Sequence, residues 1–401
     1  MNRRFIAAVA PLTALSALIV AGCAEPHVAA SPEPAAPPLG VEWTSVDLTG
    51  PLADEDAELT EFSADGVLWV IDEAVPTTLF GTTDGISWRE VDLTTHGLPP
   101  RVSESSDCRQ QPVIDARPDG LTLVYSERAH DHPVGLRETV WLVDVDDAGE
   151  RISVTPGADA GFENMPPATE GDQFRTRCLV NIVSLGETRY AFGGGQWWSP
   201  YDTGRRDYFT AREVAPNDWE VYSARTSPVL EGVNAELWAG GMLSTGSSLV
   251  LIDTGGGTAE FWHSVDGRDW LATENSPEVN PSAIGAASHD GTLVVASLLG
   301  ERPGFRLGIW SSTNGAEWTQ VHFPEPVAEE TPTVLATPEG FIVAASSSGT
   351  PFTWVSTDGT TWSELPSDYY LTGAIAHLDG LVDIGSSRIR VSGLDWGQAA
   401  E

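Results

Sequence analysis

Short apolar runs set off by turn-forming residues pattern the chain: Val67 to Ile71, Leu121 to Tyr125, Leu249 to Ile252, Leu293 to Ser297 and Phe341 to Ala345. Runs this short, rich in Val, Ile and aromatic residues and bounded by Gly, Asp, Asn and Ser, predict strands; a helix would need a longer apolar period. Between the runs one phrase recurs: T-T-D-G-I-S-W from Thr82, S-V-D-G-R-D-W from Ser264, S-T-N-G-A-E-W from Ser312 and S-T-D-G-T-T-W from Ser356. Ser, Thr, Asp and Asn bond a turn's own amides, Gly takes a positive φ, and Trp opens the following strand, so each phrase predicts a hairpin turn. Recurrence at this period predicts an array of small sheets.

Aligning on the tryptophan brings in weaker copies. Val41-Glu42-Trp43-Thr44 matches Ile86-Ser87-Trp88-Arg89 in pattern, Asp147-Ala148-Gly149 leads to Ile152, and Asn217-Asp218 leads to Trp219. The outer-strand anchors are then Trp43, Trp88, Ile152, Trp219, Trp270, Trp318 and Trp362. With two or three strand-like runs ahead of each anchor, these predict an all-β, seven-bladed β-propeller of four-stranded blades. After Trp362 only three strands remain, within Gly373 to His377, Leu381 to Ile384 and Arg388 to Val391. The strand around Trp43 is expected to complete that last blade, closing the fold and removing its exposed sheet edges.

The phrase resembles the Asp-box, or bacterial neuraminidase repeat, of sialidases, sortilin-type receptors and photosystem-assembly-factor-like propellers. Four copies here are one residue shorter than the family pattern, with Asp or Asn directly before Gly. In that family the boxes are structural turns on the rim. The resemblance therefore assigns turn-building to Asp84, Gly85 and Trp88, to Asp266, Gly267 and Trp270, to Asn314, Gly315 and Trp318, and to Asp358, Gly359 and Trp362. A sialidase also needs three converging arginines, a Tyr paired with Glu, an Asp acid, and an F-R-I-P-like phrase before the first box. No such phrase stands there, and Phe305-Arg306-Leu307-Gly308 falls in the fifth repeat, where it reads as a lead into a third strand.

The N-terminus carries Arg3-Arg4, an apolar run from Phe5 to Val20, and Val20-Ala21-Gly22-Cys23. This resembles a bacterial lipoprotein signal with its lipobox, which implies a signal peptide over 1–22, lipidation of Cys23 and an extracytoplasmic protein anchored to the cell membrane. Residues 24–40 are rich in Pro and Ala and predict an extended tether from 23 to 40, with the propeller domain over 41–396 and a tail at 397–401. The net charge of −37 and the complete lack of lysine argue against nucleic-acid partners and binding to anionic lipid. With Cys23 lipidated, Cys108 and Cys178 remain as an even pair, expected to form a disulfide in an oxidising compartment.

Propeller ligands usually sit on the face opposite the boxes, where residues 94–111, 128–137, 156–177 and 195–207 read as loop insertions. Arg101, Arg109, Arg128, Arg137, Arg175, Arg177, Arg205 and Arg206 fall in or beside them. They either neutralise neighbouring acids or present paired donors to a carboxylate, sulfate or phosphate. Gly193-Gly194-Gly195-Gln196-Trp197-Trp198-Ser199-Pro200-Tyr201 combines glycines with aromatic faces suited to sugars or peptides; its tryptophans either bind or cap the blade tops. The candidate ligand residues are thus Arg109, Arg175, Arg177, Trp197, Trp198, Tyr201, Arg205 and Arg206. His130-Asp131-His132 is too small a set to imply a metal, and no motif implies a cofactor or a signposted catalytic centre. The expectation is a membrane-anchored binding or scaffold module for protein or glycan. The alternatives are a sialidase-like glycoside hydrolase or lyase at the central channel, and an assembly or quality-control factor for envelope complexes.

Overall fold

The computed structural model describes residues 41–47, 52, 59–64, 67–72, 75–83, 87–100, 102–103, 113–117, 120–129, 137–146, 151–156, 173–199, 202–215, 218–223, 237–254, 258–300, 305–321, 330–337, 339–347, 350–365, 375–377, 380–384 and 388–394. For some of these, including 41–47, 126–129, 137–140, 173–180, 194–199, 202–208, 375–377, 380–384 and 388–394, it describes backbone placement only.

The described strands form seven antiparallel sheets. Sheet 1 runs Leu59–Ala64, Val67–Asp72, Thr78–Thr82 and Arg89–Asp92. In sheet 2, Val113–Arg117 and the short Val102–Ser103 both pair with Gly120–Ala129, followed by Arg137–Asp146 and Ile152–Pro156. Sheet 3 runs Gln173–Leu185, Thr188–Ser199, Asp202–Ala215 and Asp218–Ser223. Sheet 4 comprises Leu237–Ser244, Leu249–Asp253, Glu260–Ser264 and Leu271–Ala272; sheet 5 comprises Ile284–His289, Thr292–Leu299, Arg306–Ser312 and Thr319–Val321. Sheet 6 is Thr333–Thr337, Gly340–Ser347, Thr350–Ser356 and Ser363–Leu365. Sheet 7 joins both ends of the folded chain: Ile375–His377, Gly380–Ile384 and Arg388–Leu394 precede Val41–Asp47, whose Trp43 lies opposite Ser392.

First strands lie against first strands in succession from sheet 1 to sheet 7, and Ile375–His377 of sheet 7 lies against Leu59–Ala64 of sheet 1. Small meandering sheets stacked through their first strands are consistent with a β-propeller. The second strands carry the core because they are covered on both faces: Leu249–Asp253 is buried at every position, as are Leu293 to Leu298 and Gly340 to Ser346. Such strands read as continuous apolar runs, which is why the sequence marks them so clearly.

Between sheets, the core is a series of shared clusters. Leu121, Leu123, Tyr125, Val143 and Val145 of sheet 2 pack with Val67, Trp69, Ile71 and Leu79 of sheet 1. On their opposite side, Val124 and Leu142 pack with Ile182, Ala191, Phe209, Ala211 and Trp219 of sheet 3. Alternate residues of one strand thus face alternate neighbouring sheets, as a pleated strand requires.

Candidate functional site

The box turns fix one end of sheets 4 to 6. In sheet 4 the Ser264 hydroxyl accepts from the Gly267 amide (2.9 Å), and Asp266 Oδ1 accepts from the amides of Arg268 and Asp269 (both 2.9 Å). Trp270 Nε1 then donates back to the Gly267 carbonyl (3.0 Å). Sheets 5 and 6 repeat the pattern through Ser312, Asn314, Gly315 and Trp318, and through Ser356, Asp358, Gly359 and Trp362.

Each box also docks on the preceding sheet. Thr210 of sheet 3 donates to the Gly267 carbonyl (2.6 Å), while Thr273, just beyond the last strand of sheet 4, donates to the Gly315 carbonyl (3.0 Å). A Cβ on Gly267 would meet the Tyr190 ring at 2.6 Å, and one on Gly315 would meet Val250 Cγ2 at 2.4 Å. Glycine is therefore required twice over, for its positive φ (71° and 70°) and for close approach. Trp270 is 1% exposed among Tyr190, Phe192, Leu249 and Leu251, and Trp318 packs edge-on against Phe261 with ring centroids 5.1 Å apart.

The carboxylates in these turns are spent on structure. Burial pushes Asp358 up, but the amides of Thr361 and Thr360 and the Ser356 hydroxyl outweigh it and hold the group at about 2. Asp266 is likewise lowered: burial opposes, and the amides of Asp269 and Arg268, the Ser264 hydroxyl and the Arg268 charge prevail. A carboxyl held ionised by its own turn cannot serve as a proton donor near neutral pH.

Sheets 2 and 3 meet differently. The amide of Asp146 donates to the Arg151 carbonyl (3.1 Å), and Arg151 returns bonds from its own amide (3.0 Å) and Nε (2.9 Å) to the Asp146 carboxylate. This clasp ties the end of Arg137–Asp146 to the start of Ile152–Pro156. Between the sheets, Arg189 pairs with Asp144 (3.3 Å) and Glu213 (3.5 Å) and lies over the Trp219 ring at 5.3 Å, while Thr122 donates to Asp144. Where sheets 4 to 6 use an uncharged serine, sheet 3 uses an ion-pair network.

At the opposite end, sheet 3 is long. Thr210 pairs with Tyr222 in sheet 3 as Thr353 pairs with Leu365 in sheet 6, so Thr350, where that strand of sheet 6 begins, corresponds to Asp207. Residues Asp202 to Arg206 lie beyond that point, and at ~3.3 Å per residue they lengthen the sheet by about 16 Å. The segment 193–199 is thus the middle strand of a ribbon, and residues 195–199 and 202–207 are strand where the sequence reads as a loop insertion: backbone pairing on both sides needs no side chain, so three glycines sustain it.

The register gathers most of the candidate residues on this ribbon. Phe174, Trp197 and Arg205 form one rung; Thr176, Gln196 and Arg206 the next; Arg177, Gly195 and Asp207 the third; Cys178, Gly194 and Tyr208 the fourth. Arg175 sits at a register shift between Phe174 and Thr176, and Trp198 lies opposite Gln173 and Thr203. Sheet 2 is also long, and its far rungs pair Arg128 with Glu138 and Ala129 with Arg137. Phe174, Asp207 and Glu138 are not evident from the sequence; only their strand partners reveal them. Cys23, Asp84, Gly85, Arg101, Cys108, Arg109, the His130-Asp131-His132 triplet and Tyr201 lie outside the described residues, as does the turn at Asp147-Ala148-Gly149.

No protein-family model and no curated protein matches the chain. Among solved structures it is similar to virginiamycin B lyase from Staphylococcus aureus, at 12% identity over 88% of this chain and 100% of that one, with a TM-score of 0.46. It is also similar to a Trypanosoma rangeli sialidase mutant displaying trans-sialidase activity (10% identity, 89% of this chain but 59% of that one, TM-score 0.43). A third is the SapL1 lectin in complex with alpha methyl fucoside (12% identity, 79% and 99%, TM-score 0.38). The chain spans about three fifths of the length of the sialidase it matches. None of these likenesses assigns this protein a ligand or a reaction.

Proposed function

We propose that this protein is a lipid-anchored, extracytoplasmic seven-bladed β-propeller, closed by its N-terminal strand, that acts as a binding module for a protein or glycan. The succession of seven sheets, the contact of sheet 7 with sheet 1 and the pairing of Val41–Asp47 with Arg388–Leu394 support the closed architecture. The lipobox-like Val20-Ala21-Gly22-Cys23 supports the anchor, and a disulfide between Cys108 and Cys178 would brace the same end of the fold as the ribbon.

The observation that carries the binding role is the register of sheet 3. It places Arg175, Arg177, Trp197, Trp198 and Arg205 on one ribbon, opposite the end fixed by the boxes. Flat aromatic faces and forked donors are the side chains that hold sugars and polar polymers. The test is capture of glycans and envelope components by the purified protein, with Trp197→Ala/Trp198→Ala as the comparison. Loss of capture in the double variant, at unchanged melting temperature, supports the proposal; equal capture removes the ribbon from the site. Turnover of an aryl-glycoside or sialoside panel would instead make the protein an enzyme.

A further inference from the structure

We infer that the extended ends of sheets 2 and 3 form a cleft that seats an anionic glycan strand, with Gly195 as its floor; this rests on the binding role proposed above. The two sheets meet through Val124 and Leu142 on one side and Ala191, Phe209 and Ala211 on the other, which identifies the facing surfaces. Residues two apart on a strand share a face. Continuing from Val124 and Leu142 along the uninterrupted register of sheet 2, the facing surface carries the rung Ser126 and Val140, then the rung Arg128 and Glu138. Continuing from Phe209 and Gly193 along sheet 3, it carries Arg177, Gly195 and Asp207, then Phe174, Trp197 and Arg205.

Three features of this surface converge on one ligand class. Packed sheets stand ~10 Å apart, and Gly195 puts no side chain into that gap, so the third rung keeps room that side chains fill elsewhere. Neighbouring strands are ~4.8 Å apart and same-face rungs are two residues, or about 7 Å, apart, which places Arg177, Asp207 and Trp197 around a floor the size of one pyranose ring. Arg128, Arg177 and Arg205 outnumber Glu138 and Asp207 on this face, in a chain of net charge −37. An excess of arginine over carboxylate on this face of so acidic a protein favours an anion, carboxylate or sulfate, while Trp197 and Asp207 suit the sugar's C–H face and hydroxyls. Arg206, Gln196 and Thr176 belong to the other face.

That alternation supplies the control. The full-length protein in detergent is titrated with a uronic-acid hexasaccharide, a sulfated hexasaccharide and a neutral hexasaccharide of the same length. At least one anionic probe is expected to bind, with affinity falling as salt rises. Arg177→Gln and Arg205→Gln should each weaken it by about tenfold or more, and Arg206→Gln by less than about twofold, since one charge-assisted bond is worth roughly that factor. Gly195→Val, which suits a strand but fills the floor, should abolish binding without lowering the melting temperature. Equal binding of the neutral probe, or sensitivity that follows Arg206 in place of Arg205, overturns the inference. If none of the probes binds, the glycan seat is overturned as well, while capture of an envelope protein through Trp197 and Trp198 would leave the broader binding role standing.

Discussion

Sheets 4 to 6 and sheets 2 to 3 solve the same packing problem with different chemistry. In the first group, the box turns bind the preceding sheet: the Gly267 and Gly315 carbonyls accept from threonines of that sheet, the Trp270 ring packs into it, and every strand has eight residues or fewer. In the second, the fastening is an arginine between two carboxylates, and strands of ten to fourteen residues run on past the packed region. Regular turns leave nothing spare for a ligand; the irregular pair carries surplus sheet with its own composition. Repetition marks scaffold, and departure from it marks the place to look for binding.

Breaking the comparison begins with the largest effects. Trp270→Ala should cost roughly 3–5 kcal/mol of stability, as expected for a fully buried indole, and is read by chemical unfolding. Gly315→Ala combines a positive φ with a Cβ 2.4 Å from Val250, so a loss of about 3 kcal/mol is expected in the same assay. Arg189→Met leaves the largely buried Asp144 and Glu213 without that partner and should also cost about 3 kcal/mol.

A smaller effect separates the boxes from one another. Asp358 and Asp266 have lowered values when folded, so they stabilise the protein above the unfolded carboxylate range near 4, and that contribution fades as pH falls toward 2. Asn314 fills the same role without titrating. Asp358→Asn should therefore leave stability at pH 7 within about 1 kcal/mol of the parent and flatten the acid limb of a melting-temperature profile between pH 4 and 2. The smallest expected effect is on the ribbon: Arg205→Gln should change stability by less than about 0.5 kcal/mol while lowering ligand capture.

What could be seen in the sequence follows the same division. The strands at Val67, Leu249, Leu293 and Phe341 were legible because they are covered on both faces and therefore apolar throughout, and the box tryptophans because the turn needs Asp or Asn, Gly and Trp at fixed offsets. The ribbon was not. Gly193-Gly194-Gly195 and Trp197-Trp198-Ser199 read as loop, yet strands paired on both sides draw on backbone groups that composition does not report. Ahead of Ile152, Arg151 and Asp146 form an ion-paired clasp where sheets 4 to 6 have the serine bonds. The arginines were recognised as a group, but only the register separates Arg177 and Arg205 from Arg206.

The division of labour is tested most directly by recording thermal melting with and without ligand for Trp197→Ala and Trp270→Ala side by side. Trp197→Ala is expected to keep the parental melting temperature and lose ligand-induced stabilisation, and Trp270→Ala to melt lower yet still be raised by ligand. Early melting of Trp197→Ala, or full ligand stabilisation of it, would show that scaffold and ribbon are not separate.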